Sequence, residues 1–238
     1  MLGQFDRGEP QRFRAEILAP NIHFYRDPSV ARERKRLILG FCGNANRLML
    51  PIACVLQHLP SDLCDLLVLR DPTRSHYAKG IPPYAGSMPE LIGRIAADVG
   101  VESYWRRYCY GTSMGGFAAL RYGLLWQADR AISIGGSFAW HPRRLLDEPG
   151  AALPSFDPLC ACQANGATAL FCAYGAENSK DQEEASRLSA ILPVNLMAVP
   201  GLSDHNIIKI QAANGSLSAF FQDIFELGAP SAPDGGSG

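Results

Sequence analysis

Residues 106–125, RRYCYGTSMGGFAALRYGLL, decide how the rest of the chain is read. An aromatic run ends at Tyr110, four small residues (Gly111, Ser113, Gly115 and Gly116) crowd into the next six positions, and a helical pattern follows. Small residues two before and two after Ser113 let a strand and a helix approach through a sharp turn. Such a turn pushes the residue at its apex into an unfavourable backbone region. The turn either simply joins two elements or holds one serine hydroxyl exposed, and its surroundings decide which.

Working outward, continuous apolar runs alternate with amphipathic ones. LILGFC (37–42) precedes a helical pattern through RLMLPIACVLQHL (47–59), and CDLLVLRDP (64–72) precedes SMPELIGRIAADVG (87–100). YWRRYCYG (104–111) leads into the Ser113 turn, and RAISIGGS (130–137) follows. ATALFCAYG (167–175) precedes SKDQEEASRLSAIL (179–192), and VNLMAVPG (194–201) precedes NIIKIQAANGSLSAFFQDIFE (206–226), read as one last helix. Continuous apolar strands alternating with amphipathic helices predict a mostly parallel sheet covered on both faces, a three-layer α/β domain. RFRAEIL (12–18) and NIHFYRD (21–27) form an opening pair of strands, with His23 on an edge, and the basic run RERKR (32–36) a solvated strand entry. One domain over residues 1–228 is expected, with a short irregular insertion at about 138–166 in place of a large lid and a disordered tail at 229–238.

With 238 residues, 47% hydrophobic and 19% charged, the chain has the composition of a globular domain. A formal charge of −1 supplies no electrostatic argument for nucleic acid or an anionic membrane. Seven cysteines, an odd count without a Cys-x-x-Cys pair, read as reduced thiols. Cys160 and Cys162 lack the second ligand pair of a zinc site, so no metal and no cofactor is expected. No signal-peptide core and no membrane-length apolar run is present, so the expected address is cytoplasmic.

GTSMGG, after RYCY and before FAAL, resembles the nucleophile elbow of the α/β-hydrolase fold, and the likeness covers about residues 35–228. The resemblance implies a serine nucleophile, then an acid after a later strand, then a histidine after the last strand. Ser113 takes the first role. Of His23, His58, His76, His141 and His205, only His205 follows the last strand and opens the last helix. The acid falls to Asp181 or Glu177 in AYGAENSKDQEEA, with Asp181 preferred and Asp204 third. Asn178 stands where many such hydrolases place an aspartate, and the other role open to Asp181 is a helix N-cap. The resemblance gives one oxyanion-hole N–H to Met114; the second belongs to GFCGNAN, at Asn44 or Cys42.

Cys42, His76, Trp140 and His141 are candidate substrate-lining residues. The basic groups Arg143, Arg144, Arg74 and Lys79, together with His76 and His141, either favour an anionic or carbohydrate substrate or form a solvated rim. The expected function is a serine hydrolase acting by acyl transfer: a carboxylesterase or deacylase on a small or protruding acyl group, small-molecule or carbohydrate-linked. A thioesterase, amidase or acyltransferase would use the same residues, and a non-catalytic binding protein would keep the same fold.

Overall fold

The strand predicted ahead of Ser113 lies near the middle of an eight-stranded sheet. The computed structural model describes residues 12–136 and 168–228. The expected insertion at 138–166, with Trp140, His141, Arg143, Arg144, Cys160 and Cys162, lies outside the described residues, as does the tail at 229–238.

The strands are β1 (Arg14–Ala19), β2 (Ile22–Arg26), β3 (Arg36–Phe41), β4 (Cys64–Leu69), β5 (Arg106–Thr112), β6 (Arg130–Ile134), β7 (Ala169–Gly175) and β8 (Asn195–Val199). Their order is β1-β2-β4-β3-β5-β6-β7-β8. β1 pairs antiparallel with β2 and β2 with β4, while the sheet from β4 to β8 is parallel. β1 takes the edge, so β2 and its His23 lie between two strands; the edge placement expected for His23 is corrected.

All six residues of β3 are buried, as a strand covered on both faces requires. Leu37, Leu39 and Phe41 pack on one side with α2 (Met88–Val99), α3 (Met114–Trp126) and α4 (Ser179–Ser189). Ile38 faces the other core, with α1 (Ile52–Leu56), α5 (Ile207–Ala213) and α6 (Leu217–Ile224). The result is three layers. α2 has the cap chemistry of its sequence: the Ser87 hydroxyl accepts from the Glu90 N–H, and Gly100 ends the helix at φ +66°.

Three further expectations are corrected. The helical pattern at 47–59 contracts to Ile52–Leu56, because Pro51 restricts the backbone ahead of it and Met49 adopts φ +61°. The single last helix is two, broken where Gly215 takes φ +79°.

The run at 32–36 is not wholly solvated, since Lys35 and Arg36 are fully buried. Lys35 Nζ donates to Asp65 Oδ1 at 2.8 Å and to the Asp27 carbonyl at 2.7 Å, while the Tyr104 hydroxyl donates to Asp65 at 2.7 Å. Arg36 donates to the Glu226 carbonyl and lies over the Trp105 ring. Burial pushes the Asp65 carboxyl above its ordinary range against the pull of these hydrogen bonds. Removing one partner leaves an uncompensated buried charge. Asp65→Ala is therefore expected to cost about 3–5 kcal/mol in urea unfolding, and Lys35→Met/Asp65→Leu to recover most of that loss. A single variant as stable as the parent would deny the pair its structural role.

Candidate active site

The parallel strand order reverses between β3 and β5: the chain leaves β3 for β4 on one side, then crosses to β5 on the other. Ligands in such sheets bind beyond the carboxyl ends of the strands at this switch point. Phe41 is in register with Gly111 across β3 and β5, so the loop after Phe41 and the turn after Thr112 meet there.

Ser113 is the N-cap of α3 and sits at φ +53°, ψ −122°, a region L-residues rarely occupy. Its N–H donates to the Ile134 carbonyl at 2.9 Å, and its carbonyl accepts from the Gly116 N–H at 2.9 Å, so both sides of the turn are held. The flanking glycines are required by contact. A Cβ on Gly111 would collide with the Gly115 carbonyl, and one on Gly115 with the Phe41 carbonyl. The helix thus starts almost against the end of β3. Met114, first in α3, has no intrahelical acceptor for its N–H.

The loop after β3 closes on the same point. A Cβ on Gly43 would stand 2.9 Å from the Thr112 carbonyl oxygen and 3.2 Å from Ser113 Cβ. Within this loop the Cys42 N–H donates to Leu69 O, Gly43 N–H to Arg47 O and Asn46 N–H to Gly43 O. Of the two candidates for the second oxyanion donor, Cys42 therefore has its N–H engaged in the sheet. The Tyr77 hydroxyl lies 3.0 Å from the Cys42 carbonyl and 2.7 Å from that of Leu69, bracing the base of the loop.

His205 and Asp181 arrive from the far half of the sheet. His205 lies between β8 and α5, and its Nδ1 is 3.0 and 3.1 Å from the two Asp181 carboxylate oxygens. Asp181 is buried, while the His205 side chain is about a third exposed. The N-cap of α4 is Asn178, whose side chain accepts from the Asp181 N–H at 3.1 Å. The cap expected as the other role for Asp181 is thus filled by its neighbour, and the carboxylate is left for the imidazole. Glu177 is exposed, and its N–H donates to Leu202 O. Asp204 turns back on Asn206, whose hydrogen bonds hold its carboxyl below the usual range. Gly135, after β6, borders the histidine: a Cβ there would come 3.3 Å from His205 Cε1.

Ser113 and His205 line one cavity of about 620 Å³, within the range that encloses a small molecule. Asn44, Ala45, Met49, Leu50, Pro51 and Cys54 form much of its wall, and Arg47 and Lys209 also line it. Met49, Arg47 and Lys209 escaped the sequence reading, because nothing local to RLML or NIIKI tells that those segments face Ser113.

Two expected lining residues are not part of this wall. Cys42 is fully buried and borders a separate cavity of about 200 Å³; burial pushes its thiol up to about 12. His76 is buried with its ring edge-on to Phe117, and burial lowers it to about 4. Arg74 and Lys79 do not line the cavity either. His58, buried at the end of the α1 segment, pairs with the Ser218 hydroxyl at 2.9 Å and ties α1 to α6. Among the described residues no group of three His, Cys, Asp or Glu could hold a metal ion, and no helix is long and apolar enough to cross a membrane.

Compared by sequence, the chain matches no family model and no curated relative. Its fold does match solved structures. A predicted CIB-like hydrolase from Thermoplasma acidophilum aligns at TM-score 0.57 and 13% identity, covering 92% of this chain and 100% of the other. A dienelactone hydrolase from Anabaena variabilis aligns at 0.56 and 12% identity over 91% and 98%. A serine hydrolase without lid from Xanthomonas campestris aligns at 0.54 and 12% identity over 95% and 99%. With a mostly parallel eight-stranded sheet between helices and solved hydrolases aligned over more than nine-tenths of its length, the chain has the α/β-hydrolase fold.

Proposed function

We propose that the chain is a serine hydrolase working by acyl transfer, a carboxylesterase or deacylase for small acyl groups. The observation that carries this is the contact of His205 Nδ1 with the buried Asp181, made by a histidine that shares its cavity with the strained Ser113. Asp181 accepts from the Nδ1–H of a neutral imidazole, which leaves Nε2 as the proton acceptor. Ser113 Oγ attacks the substrate carbonyl as its proton passes to Nε2, and the carbonyl oxygen becomes an oxyanion. The N–H groups of Met114 and Asn44 receive that charge; the first stands at the positive end of the 13-residue α3, where no intrahelical acceptor faces it. His205 then protonates the leaving group, and a water deprotonated by the same nitrogen releases the acyl group from Ser113.

A fluorophosphonate probe is expected to label the wild-type protein covalently and Ser113→Ala not at all, read by intact-mass spectrometry. Turnover of p-nitrophenyl acetate, butyrate and octanoate should vanish in Ser113→Ala, and its trend along the series sizes the acyl pocket. A wild-type protein that takes no label and hydrolyses none of these esters would be a binding protein on this fold.

A further inference from the structure

We propose that this site selects esters that carry a negative charge, with Arg47 and Lys209 as the specificity-determining residues; the inference rests on the hydrolase function above. The cavity wall is divided. Met49, Leu50 and Pro51 give it apolar surface, and among the described residues Arg47 and Lys209 are the only Arg or Lys that line it, while no Asp or Glu does.

Each cation is carried by a catalytic element. The Arg47 carbonyl accepts from the Gly43 N–H at 3.0 Å and from the Thr112 hydroxyl at 3.3 Å, so its backbone is fastened to the residue beside Ser113. Lys209 is in the first turn of α5, four residues after His205. Arg47 makes no ion pair among the described residues. The Asp204 carboxyl feels Lys209 but makes no ion pair with it among the described residues, and its hydrogen bonds come from Asn206.

Both residues are exposed, and cations at the rim of a site attract an anionic substrate. The guanidinium fork suits a carboxylate or phosphate, while the ammonium adds a point charge. An apolar wall beside two cations fits a short hydrocarbon segment that ends in an anion. That anion belongs to the acyl side or to the leaving group, and the choice of esters separates the two.

The experiment compares kcat/KM for two matched pairs. p-Nitrophenyl hydrogen glutarate against p-nitrophenyl butyrate places the charge on the acyl side, and 4-acetoxybenzoate against phenyl acetate places it on the leaving side. Wild type is expected to prefer the anionic member of at least one pair by roughly 10–100-fold at low ionic strength, and the preference should shrink with added NaCl. In Arg47→Gln/Lys209→Gln the ratio should fall toward one. Because the ratio is internal to each variant, a general loss of active protein cancels.

A wild-type ratio near one for both pairs, or a ratio that survives the double substitution, overturns the inference while leaving the hydrolase intact. If the fluorophosphonate labels Ser113 but none of the four esters turns over, protection from labelling becomes the readout. Glutarate should then protect wild type more than glutaramide does, and equal protection overturns the proposal. Neither turnover nor labelling overturns the hydrolase function and the selectivity with it.

Discussion

Ser113→Ala is expected to lower kcat for ester hydrolysis by roughly a million-fold at nearly unchanged stability, and Ser113→Gly to be equally inactive yet more stable than wild type. The two substitutions remove the same hydroxyl but differ at Cβ. At φ +53° and ψ −122° the Cβ of any L-residue is strained, and the backbone hydrogen bonds to Ile134 and from Gly116 hold it there. Alanine keeps the Cβ and hence the strain. Glycine releases about 1–3 kcal/mol of it and gives back about 0.5–1 kcal/mol through its freer unfolded chain. The net gain is on the order of 1 kcal/mol, large enough to move a urea midpoint. A glycine variant no more stable than wild type would mean that the turn stores no strain for function. An alanine variant that still turns over ester would remove Ser113 from the chemistry.

The strain at Ser113 was legible in the sequence because its cause is local. Small residues on both sides of a serine, between a strand pattern and a helix pattern, leave few conformations for the turn. The sheet was legible for a related reason, since a strand buried on both faces must be apolar throughout, as LILGF and DLLVL are. What stayed hidden depends on partners far along the chain. Lys35 and Arg36 look like surface residues until Asp65, 30 positions after Lys35, and Glu226, 190 after Arg36, are brought against them. The break at Gly215 was overlooked because an apolar pattern of helical period continues on both sides of it. The placement of Arg47 in the wall depends on the close approach of β3 and β5, which no spacing within 43–50 encodes. His205 is intermediate: its position after the last strand is local information, but its contact with Asp181 is a matter of topology.

That contact carries the second large effect. Asp181→Asn is expected to lower kcat by roughly ten-thousand-fold, whereas Glu177→Gln should stay within about threefold of wild type. An asparagine side chain nearly fills the space of aspartate and accepts through only one atom, while its NH2 group donates. Presented to His205 Nδ1, the amide donor favours the tautomer with the proton on Nε2, and that nitrogen can no longer take the proton from Ser113. The lost carboxylate also leaves the imidazolium formed during attack uncompensated in a site where Asp181 is buried. A structural role alone would read differently. The cap of α4 is the Asn178 side chain, which uses the backbone N–H of position 181 and not its carboxylate. Asp181→Asn should therefore cost no more than about 1 kcal/mol in denaturant unfolding, the size of a charge effect in the first turn of a helix. Asn178→Ala should cost about 1 kcal/mol through the lost cap. A large stability loss in Asp181→Asn with proportionate activity would assign the residue to folding, and a crippled Glu177→Gln beside an active Asp181→Asn would move the acid to Glu177. The decisive comparison is the double variant. If the serine, histidine and acid act as one unit, Ser113→Ala/Asp181→Asn will be no slower than Ser113→Ala alone, since a carboxylate that works only through His205 has nothing left to support once the nucleophile is gone.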